Sequence, residues 1–280
     1  MRIMVFAFCV VTAIKTSAPA NRNHNGEPIG LVNGFPVVVT FINGKGPFRL
    51  LIDTGTTICA VRRSVALRAS LIPHRRVLLA SMVGEKMVSV ANAVIRVGAR
   101  QVPEAEVVIN DLPALDRLES HVDGLLGQNV LAVGPYLIDY QARRLWFDEP
   151  ATAKAQRLGP PKQVEFSFNQ PILTVRVDSS AIPSKLVLDS GVDHLVVRCG
   201  NECGTLIDEH TVQAVTNAGE MSVRKGRVRV AAVGPQKFFR MEAVFMKKLP
   251  DLNNAEGSVP LAWFRAVYID PAKRLIRLAR

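Results

Sequence analysis

With 280 residues, 48 % apolar and 21 % charged, the chain has the make-up of an ordinary globular protein, which excludes disordered, fibrous and collagen-like classes. Its length admits one large domain or two modest ones, each able to bury a core. The net charge of +11 is spread along the chain without a basic run, so it speaks for solubility and attraction to acidic surfaces, and no nucleic-acid partner is expected.

The N-terminus reads as a targeting segment. Arg2 precedes an apolar run over residues 3–14, and Ala18-Pro19-Ala20 offers small residues for cleavage near Ala20. The run is shorter than the ~20 apolar residues that span a bilayer. An uncleaved N-terminal anchor is the alternative. No later segment is long and apolar enough to cross, so stable membrane insertion is not expected. The expected location is extracytoplasmic, either periplasmic or secreted. Loss of residues 1–20 removes Arg2 and Lys15 and no acid, taking the charge from +11 to +9.

In the first half, a Val-rich strand is predicted over Phe35–Ile42, followed by a turn at Asn43-Gly44-Lys45-Gly46. The apolar Leu50-Leu51-Ile52 ends in Asp53, followed by Thr54-Gly55, and residues 58–61 are apolar again. A short helix is expected over 65–71. Ser81-Met82-Val83-Gly84-Glu85-Lys86 forms a turn between two Val-containing strands. Then come Asp123-Gly124-Leu125-Leu126-Gly127, a short helix over 128–133, Leu137-Ile138-Asp139-Tyr140 and Arg144-Leu145-Trp146-Phe147. Residues 149–163 hold Pro150, Pro160 and Pro161 among Ala and Lys, and read as an exposed linker.

The second half repeats this order. Residues 172–177 alternate as a strand should. Leu186-Val187-Leu188-Asp189 is followed by Ser190-Gly191, and residues 195–197 are apolar. A helix is expected over 208–218 and another over 261–264. Glu256-Gly257-Ser258-Val259, Tyr268-Ile269-Asp270-Pro271 and Arg274-Leu275-Ile276 complete the copy. Asp53 and Asp189 are 136 residues apart, Gly124 and Gly257 133, and Asp139 and Asp270 131. Three landmarks in near-constant register identify an internal duplication. Two lobes follow, residues 30–149 and 164–280, joined by 150–163.

Of the four cysteines, Cys9 lies in the targeting segment. Cys199 and Cys203 lie close together in a loop-like stretch and are expected to pair in an oxidising compartment, with two free thiols as the alternative. A zinc site needs two more ligands nearby, and no metal or other cofactor is expected. Cys59 sits in an apolar run and reads as a small buried hydrophobe. The histidines at 24, 74, 121, 194 and 210 read as surface residues. Tyr136, Trp146 and Trp263 read as core fillers. No Gly-x-Ser-x-Gly elbow, phosphate loop or dinucleotide fingerprint is present.

An apolar strand ending in Asp-Thr-Gly or Asp-Ser-Gly, followed by more apolar residues, is present twice and in register. The chain resembles the aspartic peptidases of the pepsin and retropepsin type, and the likeness covers nearly the whole mature chain. Asp123-Gly124-Leu125-Leu126-Gly127 resembles the family's apolar-apolar-Gly element, and Leu137-Ile138-Asp139-Tyr140 the strand that follows it in the bacterial retropepsin-like branch. The resemblance implies an all-β, bilobal, pepsin-like fold, with two retropepsin-like β-barrel lobes, short helices and a cleft between them. It implies an endopeptidase acting on a polypeptide held in extended conformation, with Asp53 and Asp189 as the catalytic pair. Thr54, Gly55, Thr56, Ser190 and Gly191 would support the two loops. Met82, Val83 and Gly84 would form a flap, with 218–221 as counterpart; an ordinary hairpin is the alternative. The duplication supplies both carboxylates from one chain, so a monomer is expected to suffice.

The residue types suit the chemistry. Hydrolysis without a covalent intermediate needs a positioned water, a base and an acid. Two carboxyls about 3 Å apart share one proton and serve both roles. The second copy departs from the pattern at three places. Val192 stands where the first copy has Thr56, Ser258 replaces an apolar residue, and Pro260 replaces the glycine matching Gly127. Val192 and Pro260 raise a second reading, a catalytically silent, pepsin-like binding or inhibitor-like protein of the cell envelope. A third is a self-processing enzyme acting mainly on its own chain or one envelope partner.

Overall fold

The computed structural model describes residues 25–81, 84–178, 183–198, 206–216, 219–246 and 255–280. The first lobe comprises β1 (Glu27–Val32), β2 (Phe35–Ile42), β3 (Lys45–Ile52), β4 (Cys59–Val61), α1 (Arg63–Arg68), β5 (Arg75–Ser81), β6 (Gly84–Val97), β7 (Arg100–Ile109), β8 (Gly124–Leu126), α2 (Gln128–Leu131), β9 (Tyr136–Asp139) and β10 (Arg144–Phe147). After α3 (Asp148–Ala155) come β11 (Lys162–Gln163), β12 (Glu165–Ser167), β13 (Gln170–Val177), β14 (Ser184–Asp189), β15 (Leu195–Arg198), β16 (Ile207–Thr216), β17 (Gly219–Val233), β18 (Gln236–Met246), β19 (Gly257–Pro260), β20 (Ala266–Asp270) and β21 (Leu275–Ala279).

Both lobes run their strands in one order. The first is β1-β2-β3-β8-β4-β7-β6-β5 and the second β12-β13-β14-β19-β15-β18-β17-β16. Even the extra pairing recurs, β2 with β6 and β13 with β17. The register makes the residues equivalent. Leu51 lies opposite Leu125 as Val187 lies opposite Ser258, and Ala60 opposite Leu125 as Val196 opposite Ser258.

The burial of β13 and β14 follows from their composition. Branched and apolar residues face inward, while Thr174 and Lys185 are exposed. Between β2 and β3, Asn43 and Gly44 both adopt positive φ, 51° and 73°. Such a pair matches the strand twist of a tight hairpin, and asparagine and glycine tolerate it best.

A third sheet joins the lobes. β10 and β9 pair with each other, β20 pairs with β9 and β21 with β20, so Leu137 faces Tyr268 and Ile138 faces Val267. Asp139 and Asp270 close equivalent hairpins by accepting the N–H of Ala142 (2.7 Å) and Lys273 (3.0 Å). One continuous apolar core runs from Val38 and Leu50 through Tyr136 and Ile138 to Val267, Leu186 and Leu188. Tyr136 and Trp146 are buried, and the half-buried Trp263 lies 4.8 Å from the Phe238 ring. No helix among the described residues is long and apolar enough to cross a membrane.

Two expectations are corrected. Residues 208–218 were expected to be helical, but β16 runs there as a strand paired with β17. The β-branched Thr211, Val212 and Val215 suit a strand, and Val212 and Ala214 turn toward the same apolar cluster with a period of two. The stretch expected to be an exposed linker begins as a packed helix. In α3, Ala151 and Ala155 are buried, and Pro150 sits in the first turn where no N–H is required. Further along, β11 pairs with β21.

Candidate active site

Asp53 follows β3, and Asp189 ends its counterpart β14. The inner faces of these strands, Leu50 and Ile52 in one and Leu186 and Leu188 in the other, are locked into the core. Each aspartate is therefore carried out of a rigid strand toward the boundary between lobes. Both are more than nine-tenths buried, and their carboxyls influence each other's ionisation across that boundary.

Thr54 and Ser190 tie the two loops together reciprocally. The Thr54 hydroxyl donates to Leu188 O (2.8 Å), and the Ser190 hydroxyl donates to Ile52 O (2.7 Å). Each hydroxyl also accepts the other residue's backbone N–H, at 2.9 and 3.0 Å. All four bonds are buried and cross between lobes, so the loops are positioned by each other.

The glycines serve space more than turning. A Cβ on Gly55 would lie 2.2 Å from Asp189 Oδ2, and one on Gly191 would lie 2.7 Å from Asp53 Oδ1. Each lobe's motif glycine thus accommodates the other lobe's carboxylate. Their N–H groups also donate to the aspartate two residues earlier, Gly55 to Asp53 Oδ1 (3.0 Å) and Gly191 to Asp189 Oδ1 (2.7 Å).

The Thr56 hydroxyl donates to Asp53 Oδ2 at 2.8 Å. Its counterpart Val192 packs against the apolar cluster of Val196, Val223 and Met246. Asp193 is exposed and pairs with His194, which also meets Glu242. It does not join the pair of aspartates.

Burial raises Asp53 above the ordinary carboxylate value of 3.8, against the Thr56 hydroxyl, the Gly55 N–H and the contact with Asp189, which favour its ionised form. Burial, and then the charge of Asp53, push Asp189 up to about 8, opposed by the Gly191 N–H and the Ser258 hydroxyl. Two interacting buried carboxyls of this kind titrate as a pair and hold one proton between them over part of the pH range.

Several contacts at this site were not anticipated from sequence. Gln128 is buried, donates to Thr54 O (2.9 Å) and accepts from the Tyr136 hydroxyl (3.2 Å). Gln170, at the head of β13, donates to Gly55 O across the lobe boundary. A polar residue directly after Gly127 was the available signal for Gln128. Nothing in sequence marked Gln170, because its partner belongs to the other lobe.

Pro260 has a coherent setting. In the first lobe the Gly127 N–H donates to Cys59 Sγ (3.2 Å), and burial pushes the Cys59 thiol up to about 12, so it is inert. Leu195 occupies the matching position in the second lobe, as the strand registers show. The donor and the acceptor are lost together, and Pro260 precedes a helical turn over Leu261–Trp263 just as Gly127 precedes α2.

Gly84 pairs with Ser81 at the end of the β5–β6 hairpin, while Met82 and Val83 lie outside the described residues. The β16–β17 hairpin is the matching element; its β16 lies against the Pro113–Arg117 turn of the first lobe, and Arg117 meets Glu220 at 3.7 Å. Residues 1–20, Cys199 and Cys203 also lie outside the described residues. Among the described residues, no cluster of three or more His, Cys, Asp or Glu side chains suits a metal.

No curated protein matches the chain. Residues 37–130 match a family described as aspartyl protease, a span that runs from β2 through α2 and includes the Asp53-Thr54-Gly55 loop. Over residues 37–130 the first lobe is thus similar to aspartyl protease domains of the retropepsin type.

Proposed function

We propose that the protein is an aspartic endopeptidase that hydrolyses peptide bonds through a water activated by Asp53 and Asp189. The observation that carries this reading is the reciprocal approach of the two motif loops, with each glycine leaving room for the opposite carboxylate. A water between the carboxyls would lose a proton to ionised Asp53 as it attacks the scissile carbonyl. Protonated Asp189 would donate to the carbonyl oxygen, giving a tetrahedral diol. Collapse of that diol would return the proton to the pair and protonate the leaving amine. The Thr56 hydroxyl and the two glycine N–H groups would hold the carboxyls in place throughout.

The substrate would be an unfolded or extended polypeptide segment, lying as an added strand between the lobes. The two hairpins β5–β6 and β16–β17 would close over it. One chain carries both aspartates, so a monomer would suffice. Export from the cytoplasm, cleavage near Ala20 and a Cys199–Cys203 disulfide complete the proposal, supported by the N-terminal sequence pattern and the cysteine spacing. N-terminal sequencing of the mature protein and thiol alkylation with and without reductant test these points.

The decisive experiment is cleavage of an unfolded protein panel across pH 3 to 8 by the wild type, Asp53→Asn and Asp189→Asn, with and without pepstatin. Expected is cleavage by the wild type alone, blocked by pepstatin, with both variants folded. Undiminished turnover by both variants would overturn the mechanism.

A further inference from the structure

The two lobes treat their aspartates alike in one respect and differently in another. Each aspartate accepts a backbone N–H from its own motif glycine. Each also has a hydroxyl in its vicinity, but from unrelated places in the chain. Asp53 uses Thr56, three residues on in its own loop. Asp189 has the apolar Val192 at that position, and a hydroxyl, that of the buried Ser258, stands instead on the neighbouring strand β19.

Strand register explains how Ser258 reaches it. β14 and β19 run parallel, with Ser258 opposite Val187. Val187 and Asp189 are two residues apart, so they share the face opposite Leu186 and Leu188, which point into the core. Ser258 is buried on that same face, diagonal to Asp189. Its counterpart in the first lobe is Leu125, which packs with Leu51, Ala60 and Leu115 beneath the β5–β6 hairpin. The two positions are therefore exchanged between copies. Where one lobe has a hydroxyl in the loop and an aliphatic side chain on the strand, the other has an aliphatic side chain in the loop and a hydroxyl on the strand.

We propose that Ser258 is the positioning residue for Asp189, replacing from β19 the hydroxyl that Val192 lacks. The role assigned to Asp189 rests on the peptidase reading above, while the placement of Ser258 beside it does not. The titratable groups that interact with Asp189 are Asp53 across the boundary and the buried Tyr140 hydroxyl, and neither is altered in the test.

The test follows the side-chain carboxyl carbon of Asp189 by NMR during a pH titration of the full chain labelled at aspartate. Wild type is compared with Ser258→Ala, Ser258→Thr, Val192→Thr and the double variant Val192→Thr/Ser258→Ala. Removing a donor to the ionised form should move the Asp189 titration to higher pH in Ser258→Ala. Ser258→Thr should leave it near wild type, Val192→Thr alone should lower it, and the double variant should return it toward wild type. In parallel, the kcat of Ser258→Ala should fall roughly tenfold or more with KM little changed, and the alkaline limb of its pH profile should move upward. An unmoved Asp189 titration in folded Ser258→Ala would overturn the proposal. So would a downward shift. If Ser258→Ala does not fold, Val192→Thr decides, and failure to lower the titration counts against the exchange of positions. If these shifts occur in a chain that cleaves nothing, the peptidase reading fails and the role of Ser258 as hydroxyl partner of Asp189 stands.

Discussion

The hydroxyls of Thr54 and Ser190 exchange places across the lobe boundary, each donating to a carbonyl that precedes the opposite aspartate and accepting the other's N–H. This four-bond knot makes the relative placement of the two loops a property of both lobes together. Replacing Thr54 by Val keeps the shape but strands Leu188 O and the Ser190 N–H in a buried setting. We expect a loss of roughly 2–4 kcal/mol in urea unfolding and a large loss of cleavage, while Thr54→Ser stays near wild type.

Gly55→Ala should separate stability from activity. A methyl there overlaps Asp189 Oδ2 at 2.2 Å, so the carboxyl must swing away. A displacement on the order of 1 Å at a reacting group costs about 100-fold in rate. Steady-state kinetics should show the loss in kcat, and the melting temperature should fall by much less than in Thr54→Val. Equal damage to both would indicate that the glycine mainly serves folding.

The pH dependence follows from the two raised carboxyls. Catalysis needs one proton on the pair, so activity should rise at a pH above the ordinary aspartate value of 3.8, where Asp53 ionises, and fall near the value of about 8 for Asp189. A bell-shaped profile of kcat/KM tests this. Stability has the opposite bias toward acid. Both groups titrate higher when folded than when unfolded, so their contribution is fully present below about pH 4 and lost as pH rises toward about 8. Asp189→Asn should therefore melt several degrees above wild type near pH 9 and close to it near pH 4, by calorimetry.

Gln128 is the support behind the first loop. Its amide caps Thr54 O and is itself held by Tyr136. Gln128→Ala should cost roughly 1–3 kcal/mol, because Thr54 O and the buried Tyr136 hydroxyl lose their partner. Tyr136→Phe removes only the outer bond and should cost about 1 kcal/mol, as read from denaturant midpoints at constant slope.

Element type was legible where chemistry and period agreed. The run ending at Ile52 before Asp53, and its copy ending at Leu188 before Asp189, read as strands and are strands. The 208–218 segment misled because an acidic start followed by Val and Ala mimics a helix, whereas pairing with β17 makes a period of two the relevant one. Pro150 suggested a break, yet proline at a helix start interrupts nothing. Val192, Ser258 and Pro260 read individually as losses. Only the register showed Ser258 diagonal to Asp189 on the same face, and Leu195 in place of the thiol acceptor that Pro260 can no longer serve.

By itself the order of residues determined that the fold is doubled, which strands carry the two aspartates, and that each is followed by a hydroxyl and a glycine. These are local patterns, set by alternation, turn chemistry and repetition. Which hydroxyl serves which carboxyl, why the glycines have no side chain, and how Gln128 and Gln170 reach the motif loop were decided by tertiary structure. Each of those relations joins groups that lie far apart along the chain or on opposite lobes, and a hydrogen bond or a steric clash exists only once packing has brought the two atoms within a few ångströms.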